Sequence, residues 1–545
     1  MWNKKYIILF ILILLSFSGC LKNNNTNTTE KSTLEISSIK LNGEEFKNVD
    51  NVTVYDGVSY KLDIIVTDIS GMSSSTVVSS EKGTIKKNNN NDFSYSIYGV
   101  DSDTLNITAK NSVTGTEINM VKKIIVKKIE PLTNEKELTF MIYMAADNSL
   151  NNFAMMDLEE IKNANINNNI NVVIYGDFKN DNSNTPGIFV KNGNKIDKIK
   201  ELDEFINTGE SINVTKFLNF VKENYPAQKY ILDLWDHGDG WYDDKYGDTN
   251  NPINKAIAED DSSNGDSLDL WEIEYGIKNS HIPKIDVIYM DACLMGGIEV
   301  AYQLKDVADY LAFSPELTPG AGGEYKGILE NINLNLLDKT NKQLAIDIQS
   351  ANWDYYSKLD PNNKEPVVYT ITDESKIDEF MVKFNDIVTE LNSNINLIKD
   401  VPISQTSPLS YSWDRNKDYN KLSPYVDLGD FMKKIEESIP EDTFGSNENS
   451  LLKQKFDNFL DYLNNRDNLI VYLEAQNGVG DYYQIPAIEE SSTGLSIYFW
   501  FNEIDSNSYS AKYYKASINY YKNASRFGYE TIWKDVLNNY ETTID

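Results

Sequence analysis

Two histidines and two cysteines are all that 545 residues contain. The cysteines stand at 20 and 293, so once an N-terminal leader is discounted no intrachain disulfide framework can form. Positive charge is scarce too: 51 lysines and arginines face 83 acids, a formal net charge of −32. Such a surface repels nucleic acid, which excludes that class of partner. It attracts cationic ligands or substrates, and serves solubility equally well. The apolar run from Tyr6 to Leu15 is too short for a membrane span. Against these shortages, 41% hydrophobic residues and 34 tyrosines supply ample material for a core, and the length implies several domains or one large one with additions.

The first twenty residues, MWNKKYIILFILILLSFSGC, place Lys4 and Lys5 before the apolar run and small residues after it, the layout of a secretory signal. Its end, Phe17-Ser18-Gly19-Cys20, resembles a prokaryotic lipobox, with Phe17 where leucine is usual. That likeness implies lipidation of Cys20 and a protein tethered to the cell membrane; the alternative is an uncleaved anchor. Either way the body lies outside the cytoplasmic membrane. Residues 21–33, polar and without periodicity, read as a flexible linker.

From 34 to 130 short alternating runs such as SYKLDIIVTD and TLNITAK predict a small β-sandwich, similar to immunoglobulin-like modules. Beyond Pro131 the pattern turns to α/β. LTFMIYMAA, INVVIYGD, KYILDLWDHG and the run from Ile285 to Met290 read as strands. NNFAMMDLEEIKNA, with Phe153, Met156, Leu158 and Ile161 as its apolar positions, VTKFLNFVKENY and DLWEIEYGIKNS read as helices. Alternation of this kind predicts a largely parallel sheet flanked by helices, whose ligands sit at the carboxyl ends of the strands. The expected catalytic region spans 136–365, and 366–545 completes it.

His237 and Cys293 both fall at such strand ends. A helix starting at Cys293 and a neighbouring imidazole would each favour the thiolate, and Gly238 would let a backbone N–H approach a substrate carbonyl closely. Taken singly, the cysteine reads equally as a small buried residue and the histidine as a turn residue; their joint placement favours a catalytic pair. His281, at the beginning of a strand, reads as structural.

LWDHGDGW followed by MDACLMGGIEVA resembles the clostripain-like cysteine peptidases, part of the group with the caspase and gingipain fold. FMIYMAADNSLNNFAMMDLEEI, AIAEDDSSNGDSLDLWEI, LAFSPELTPGAGGEY, YVDLGDFM and SSTGLSIYFWF extend the likeness over about 136–540. The resemblance implies a caspase-like fold and endopeptidase activity with Cys293 as nucleophile and His237 as general acid/base. It further implies an oxyanion hole from the N–H groups of Gly238 and Cys293, with no third residue needed to orient the imidazole. Asp291 would line the pocket for an arginine or lysine side chain, which pairs best with a carboxylate, and Glu316 would assist. Self-cleavage after Lys245 or Lys255 is a further expectation, beside an uncut loop. No cofactor is required for the chemistry and no metal ligands are assigned. Calcium is an expected structural or activating ion in some relatives, but EDDSSNGDSLDLWE fails EF-hand spacing, with Trp271 where a glutamate is needed. The expected partners are peptides with basic residues. The rival readings are a surface lipoprotein that binds peptide or glycan without cutting, and acyl transfer to an amine through the same nucleophile.

Overall fold

The computed structural model describes residues 34–41, 44–55, 59–68, 74–87, 91–97, 100–112, 114–127, 135–179, 185–202, 206–241, 256–399, 409–411, 424–439, 448–478, 488–500, 521–522 and 525–542. The expected signal sequence and linker, Cys20, Lys245 and Lys255 lie outside them. The chain divides into two compact units, one ending at Lys128 and one beginning at Ile129.

In the first unit, strands β1 (Leu34–Leu41), β2 (Glu44–Glu45), β4 (Ser59–Asp68), β6 (Thr84–Lys87) and β7 (Asp92–Ser96) form a sheet in the order β2-β1-β4-β7-β6. A second sheet, β3-β9-β8-β5, contains Asn51–Tyr55 (β3), Ser74–Ser80 (β5), Ser102–Asn111 (β8) and Glu117–Lys127 (β9). Period-two patterning buries one face of each: Ile39, Leu62, Ile64 and Phe93 from the first sheet meet Leu105, Ile107 and Ile124 from the second in one core.

The second unit is built on a nine-stranded sheet. Its members are β10 (Lys136–Ala146), β11 (Ile170–Phe178), β12 (Gly187–Asn192), β13 (Lys195–Glu201), β14 (Ala227–Trp235), β17 (Ile285–Asp291), β18 (Ala308–Phe313), β19 (Val367–Asp373) and β21 (Ile470–Gln476). The order is β13-β12-β11-β10-β14-β17-β18-β19-β21. The central strands β11, β10, β14, β17 and β18 run parallel. Both edges are antiparallel, so the largely parallel sheet expected has its parallel strands in the middle. At one edge a tight turn folds β12 onto β13, with Gly193 at φ 56° supplying the left-handed residue a short hairpin needs. The other edge uses β19 and β21 from the region after 366, which therefore completes the sheet.

Burial on both faces explains the continuous apolar runs of the central strands. Helices α1 (Asn151–Asn163), α5 (Tyr325–Asn333) and α6 (Asn341–Tyr356) pack one face through Ala154, Ile161, Ile328 and Ile348. Helices α2 (Ser211–Asn224), α3 (Leu270–Lys278), α4 (Ile298–Leu304) and α7 (Ile377–Ser393) pack the other through Phe217, Ile273, Val300 and Phe380. Two expectations need correcting. Met156 of α1 is 54% exposed, and Asp157 takes the buried place beside it, held by a hydrogen bond from Trp235 Nε1 at 2.7 Å. The helix after Cys293 begins only at Ile298, because Leu294 at φ 61° and the following glycines carry the chain through a turn first. Its N-terminus is therefore not at the thiol.

Candidate active site

Strands β14 and β17 are parallel neighbours, with Trp235 opposite Asp291 at the end of their ladder. The Asp236 N–H still donates to the Asp291 carbonyl at 3.3 Å beyond it. His237 and Cys293 each stand two residues past that last pair, so the sheet delivers both to the same carboxyl edge from adjacent strands. Gly238 lies against the backbone of Cys293: a Cβ there would sit 2.4 Å from the Cys293 carbonyl oxygen and 3.1 Å from its nitrogen, so only glycine fits. Among the described residues no group accepts from the N–H of Gly238 or Cys293.

The thiol is held by the segment that follows β18. Thr318 N–H donates to Cys293 Sγ at 3.3 Å, and Leu294 N–H donates to the Glu316 carbonyl at 3.1 Å. Burial pushes the thiol up to about 12, with Asp291, Asp239 and Asp236 adding to the rise and the Thr318 N–H opposing it. Burial also lowers the His237 imidazole, against the opposing pull of Glu259 and Asp261. Burial thus favours the neutral form of both groups, against the thiolate that a helix terminus would give. Alkylation of Cys293 by iodoacetamide in the resting protein is accordingly expected to be slow at neutral pH and to climb past pH 9 without a plateau. Peptide mass mapping of the labelled protein checks this, and a plateau near pH 6 would show a preformed thiolate.

Ser149, missed in the sequence, meets His237: its Oγ lies 2.8 Å from Nε2. It sits just past β10, the neighbour of β14 on the side away from β17. Next to it the buried Asn148 donates from Nδ2 to Asp236 Oδ1 at 2.6 Å and to the Glu259 carbonyl at 3.0 Å. An exposed serine in a polar turn carries no pattern that would single it out.

Asp291 points to the α5 side of the sheet. Its Oδ2 accepts from Gly323 N–H at 2.7 Å and contacts the Tyr325 hydroxyl at 3.1 Å. The same hydroxyl lies 2.6 Å from Asp233 Oδ2. Among the described residues Oδ1 of both carboxylates is buried and makes no hydrogen bond within 3.5 Å. Burial, then the neighbouring Asp291, hold Asp233 well above the carboxylate range. Burial raises Asp157 to about 9 and Asp291 to about 6, the last despite the Gly323, Tyr325 and Tyr289 donors. Asp157 and Asp233, each standing in an apolar run, were also missed. Glu316 is fully buried, with its Oε1 accepting from Leu317 N–H at 2.9 Å. His281 sits at the amino end of β17, its N–H bonded to Asn219 Oδ1 at 2.6 Å, far from the edge that carries Cys293.

The acidic segment 259–272 forms the hairpin of β15 (Ile257–Asp260) and β16 (Asp266–Leu268), then the start of α3. Asp260 Oδ1 accepts from Ser262 and Ser263, Asp261 pairs with Lys179, Asp266 accepts from Asn207, and Asp269 caps α3. Within the segment these carboxylates serve turns, an ion pair and a cap. Among the described residues no group of three or more histidines, cysteines and acids could hold a metal, and no helix is long and apolar enough to cross a membrane.

The model of the clostripain family matches residues 142–540. Clostripain of Hathewaya histolytica is 28% identical over 276 residues, 45% of this chain and 51% of that protein; the chain thus spans about half the length of that relative. Among solved structures, a secreted C11 cysteine protease from Bacteroides thetaiotaomicron is 20% identical, with a TM-score of 0.48 over 71% of this chain and 99% of its own. An inactive zymogen C11 protease from Parabacteroides distasonis is 19% identical, with a TM-score of 0.49 over 68% of this chain and 94% of its own.

Proposed function

Since the chain belongs to the clostripain family, we propose that it is a cysteine endopeptidase that cuts after arginine or lysine. The observation that carries the reading is the placement of His237 and Cys293 two residues past one register pair of adjacent parallel strands, with Gly238 packed on the Cys293 backbone. His237 takes the Sγ proton as sulfur attacks the scissile carbonyl, and the resulting oxyanion accepts from the N–H of Gly238 and Cys293. Collapse breaks the C–N bond; the imidazolium gives its proton to the leaving amine and a thioester remains. Water, deprotonated by His237, then hydrolyses the thioester and frees the thiol. Because the resting thiol is neutral, proton transfer accompanies attack instead of preceding it. The cation of the substrate meets Asp291, with Glu316 buttressing the loop that carries Leu317 and Thr318.

The N-terminal sequence supports lipidation at Cys20 and a site of action outside the cell membrane. A self-cut after Lys245 or Lys255 would fall between Trp241 and Ala256, both buried in the body, so both ends would stay held. The test is incubation of the chain lacking residues 1–20 with a mixed peptide library, with and without calcium, beside its Cys293→Ala twin, the cut sites being read by mass spectrometry. Cuts after arginine or lysine that vanish in the twin support the reading. Absence of cuts, or cuts that persist in the twin, overturns it in favour of a protein that binds without cutting.

A further inference from the structure

We propose that Ser149 is the positioning residue of His237: its hydroxyl accepts the Nε2 proton and so leaves Nδ1 bare as the base that works on Cys293. The inference rests on the peptidase reading above, to which it adds a residue and a tautomer. Three adjacent parallel strands, β10, β14 and β17, deliver Ser149, His237 and Cys293 in that order along one edge. The strand order therefore puts the turn that bears His237 between the turn that bears the hydroxyl and the one that bears the thiol. Only one ring nitrogen can serve the thiol, and Nε2 is already engaged by Ser149 at 2.8 Å. A neutral imidazole has one N–H and one lone pair. For Nδ1 to take a proton from sulfur, Nε2 must carry the hydrogen and Ser149 Oγ must accept it.

The serine is fixed well enough to do this. Asn148, immediately before it, is buried and bound to Asp236, the residue immediately before His237, at 2.6 Å. Its Oδ1 accepts from Leu150 N–H at 2.9 Å on the other side of Ser149, at the entry to α1. One amide thus ties the serine-bearing turn to the histidine-bearing turn. A hydroxyl orients the ring without adding charge, in keeping with an imidazole that stays neutral at rest. Ser149 is itself exposed, so water competes for Nε2 and the contribution is expected to be moderate.

The scarcity of histidine makes the test direct. The chain is labelled with ¹⁵N-histidine, His281→Ala assigns the two rings, and the tautomer of His237 is read by long-range ¹H–¹⁵N correlation. The parent is expected to show the hydrogen on Nε2, Ser149→Ala a mixture of both tautomers, and Ser149→Thr the parent pattern again. In parallel, Ser149→Ala is expected to lower kcat about tenfold with KM nearly unchanged, and Ser149→Thr to recover most of it. A His237 tautomer that does not respond to Ser149→Ala overturns the proposal. So does a kcat that threonine fails to rescue better than alanine. If the parent cuts nothing while its His237 still holds the hydrogen on Nε2 through Ser149, the peptidase reading has failed and the positioning has not.

Discussion

Cys293→Ala is expected to abolish cleavage, lowering kcat/KM at least about 10⁴-fold, with a melting temperature close to that of the parent. The size follows from the mechanism: with no sulfur there is no thioester, and the oxyanion donors alone cannot form one. The small effect on stability follows from the surroundings. The thiol is half-buried and receives one hydrogen bond, from Thr318 N–H at 3.3 Å. Alanine keeps the backbone on which Gly238 lies and removes a group whose ionisation the site already opposes. His237→Ala should cost nearly as much, and the double substitution little more than either alone, because the two residues act in one step. Initial rates on a peptide cut by the parent, with calorimetry on the same samples, check all three. Residual turnover above about 1% in Cys293→Ala would place the nucleophile elsewhere; a collapsed melting transition would mean that the lost rate reports unfolding.

The reason this pair was readable from sequence is also the reason other parts were not. A continuous apolar run that stops at Asp-His-Gly or Asp-Ala-Cys marks the end of a strand covered on both faces, and parallel strands end on a common edge. The ends of β14 and β17 could thus be placed before any coordinates. Ser149 could not, because what makes it matter is the strand order β10-β14-β17, a long-range fact with no local trace. Asp157 defeated the helical period for a related reason. In α1 the buried position is filled by an acid that Trp235 satisfies, and Met156 is turned outward. The start of α4 was misplaced because two glycines and the left-handed Leu294 make a turn where propensity alone reads on into helix. The edge strand β13 was not read because it is short and mostly polar, held by pairing and a tight turn instead of by burial.

Asp291→Asn is expected to lower kcat/KM for arginine and lysine substrates by about 10²- to 10³-fold and, in the same protein, to raise the melting temperature at neutral pH by a few degrees. The hydrogen bonding around Tyr325 gives the charge count. Its single hydroxyl proton stands between two carboxylates, at 2.6 Å from Asp233 and 3.1 Å from Asp291. It can be donated to one only, so the other contact is favourable when that acid carries a proton of its own. Asp233, fully buried and held well above the carboxylate range, is the one that keeps it, and Asp157 at about 9 stays protonated as well. At neutral pH Asp291, at about 6, is then the single negative charge of the three, with an Oδ1 that makes no hydrogen bond among the described residues and is open to a substrate cation. That readiness carries a cost. The folded-state value is raised above the ordinary 3.8, so its contribution to stability is present at low pH and is lost as pH rises from about 4 through about 6. Asparagine keeps an oxygen for the Gly323 N–H and removes the charge, and with it that loss. Above pH 6 the variant should therefore be the more stable protein, below pH 4 the two should converge, and the parent alone should lose its preference for basic substrates as pH falls through about 6. Rates on matched basic and neutral peptides from pH 5 to 8, with melting curves over pH 4 to 8, separate the two effects. A variant that is stabilised yet still prefers arginine and lysine would show that Asp291 holds the loop at Gly323 and that another carboxylate meets the substrate.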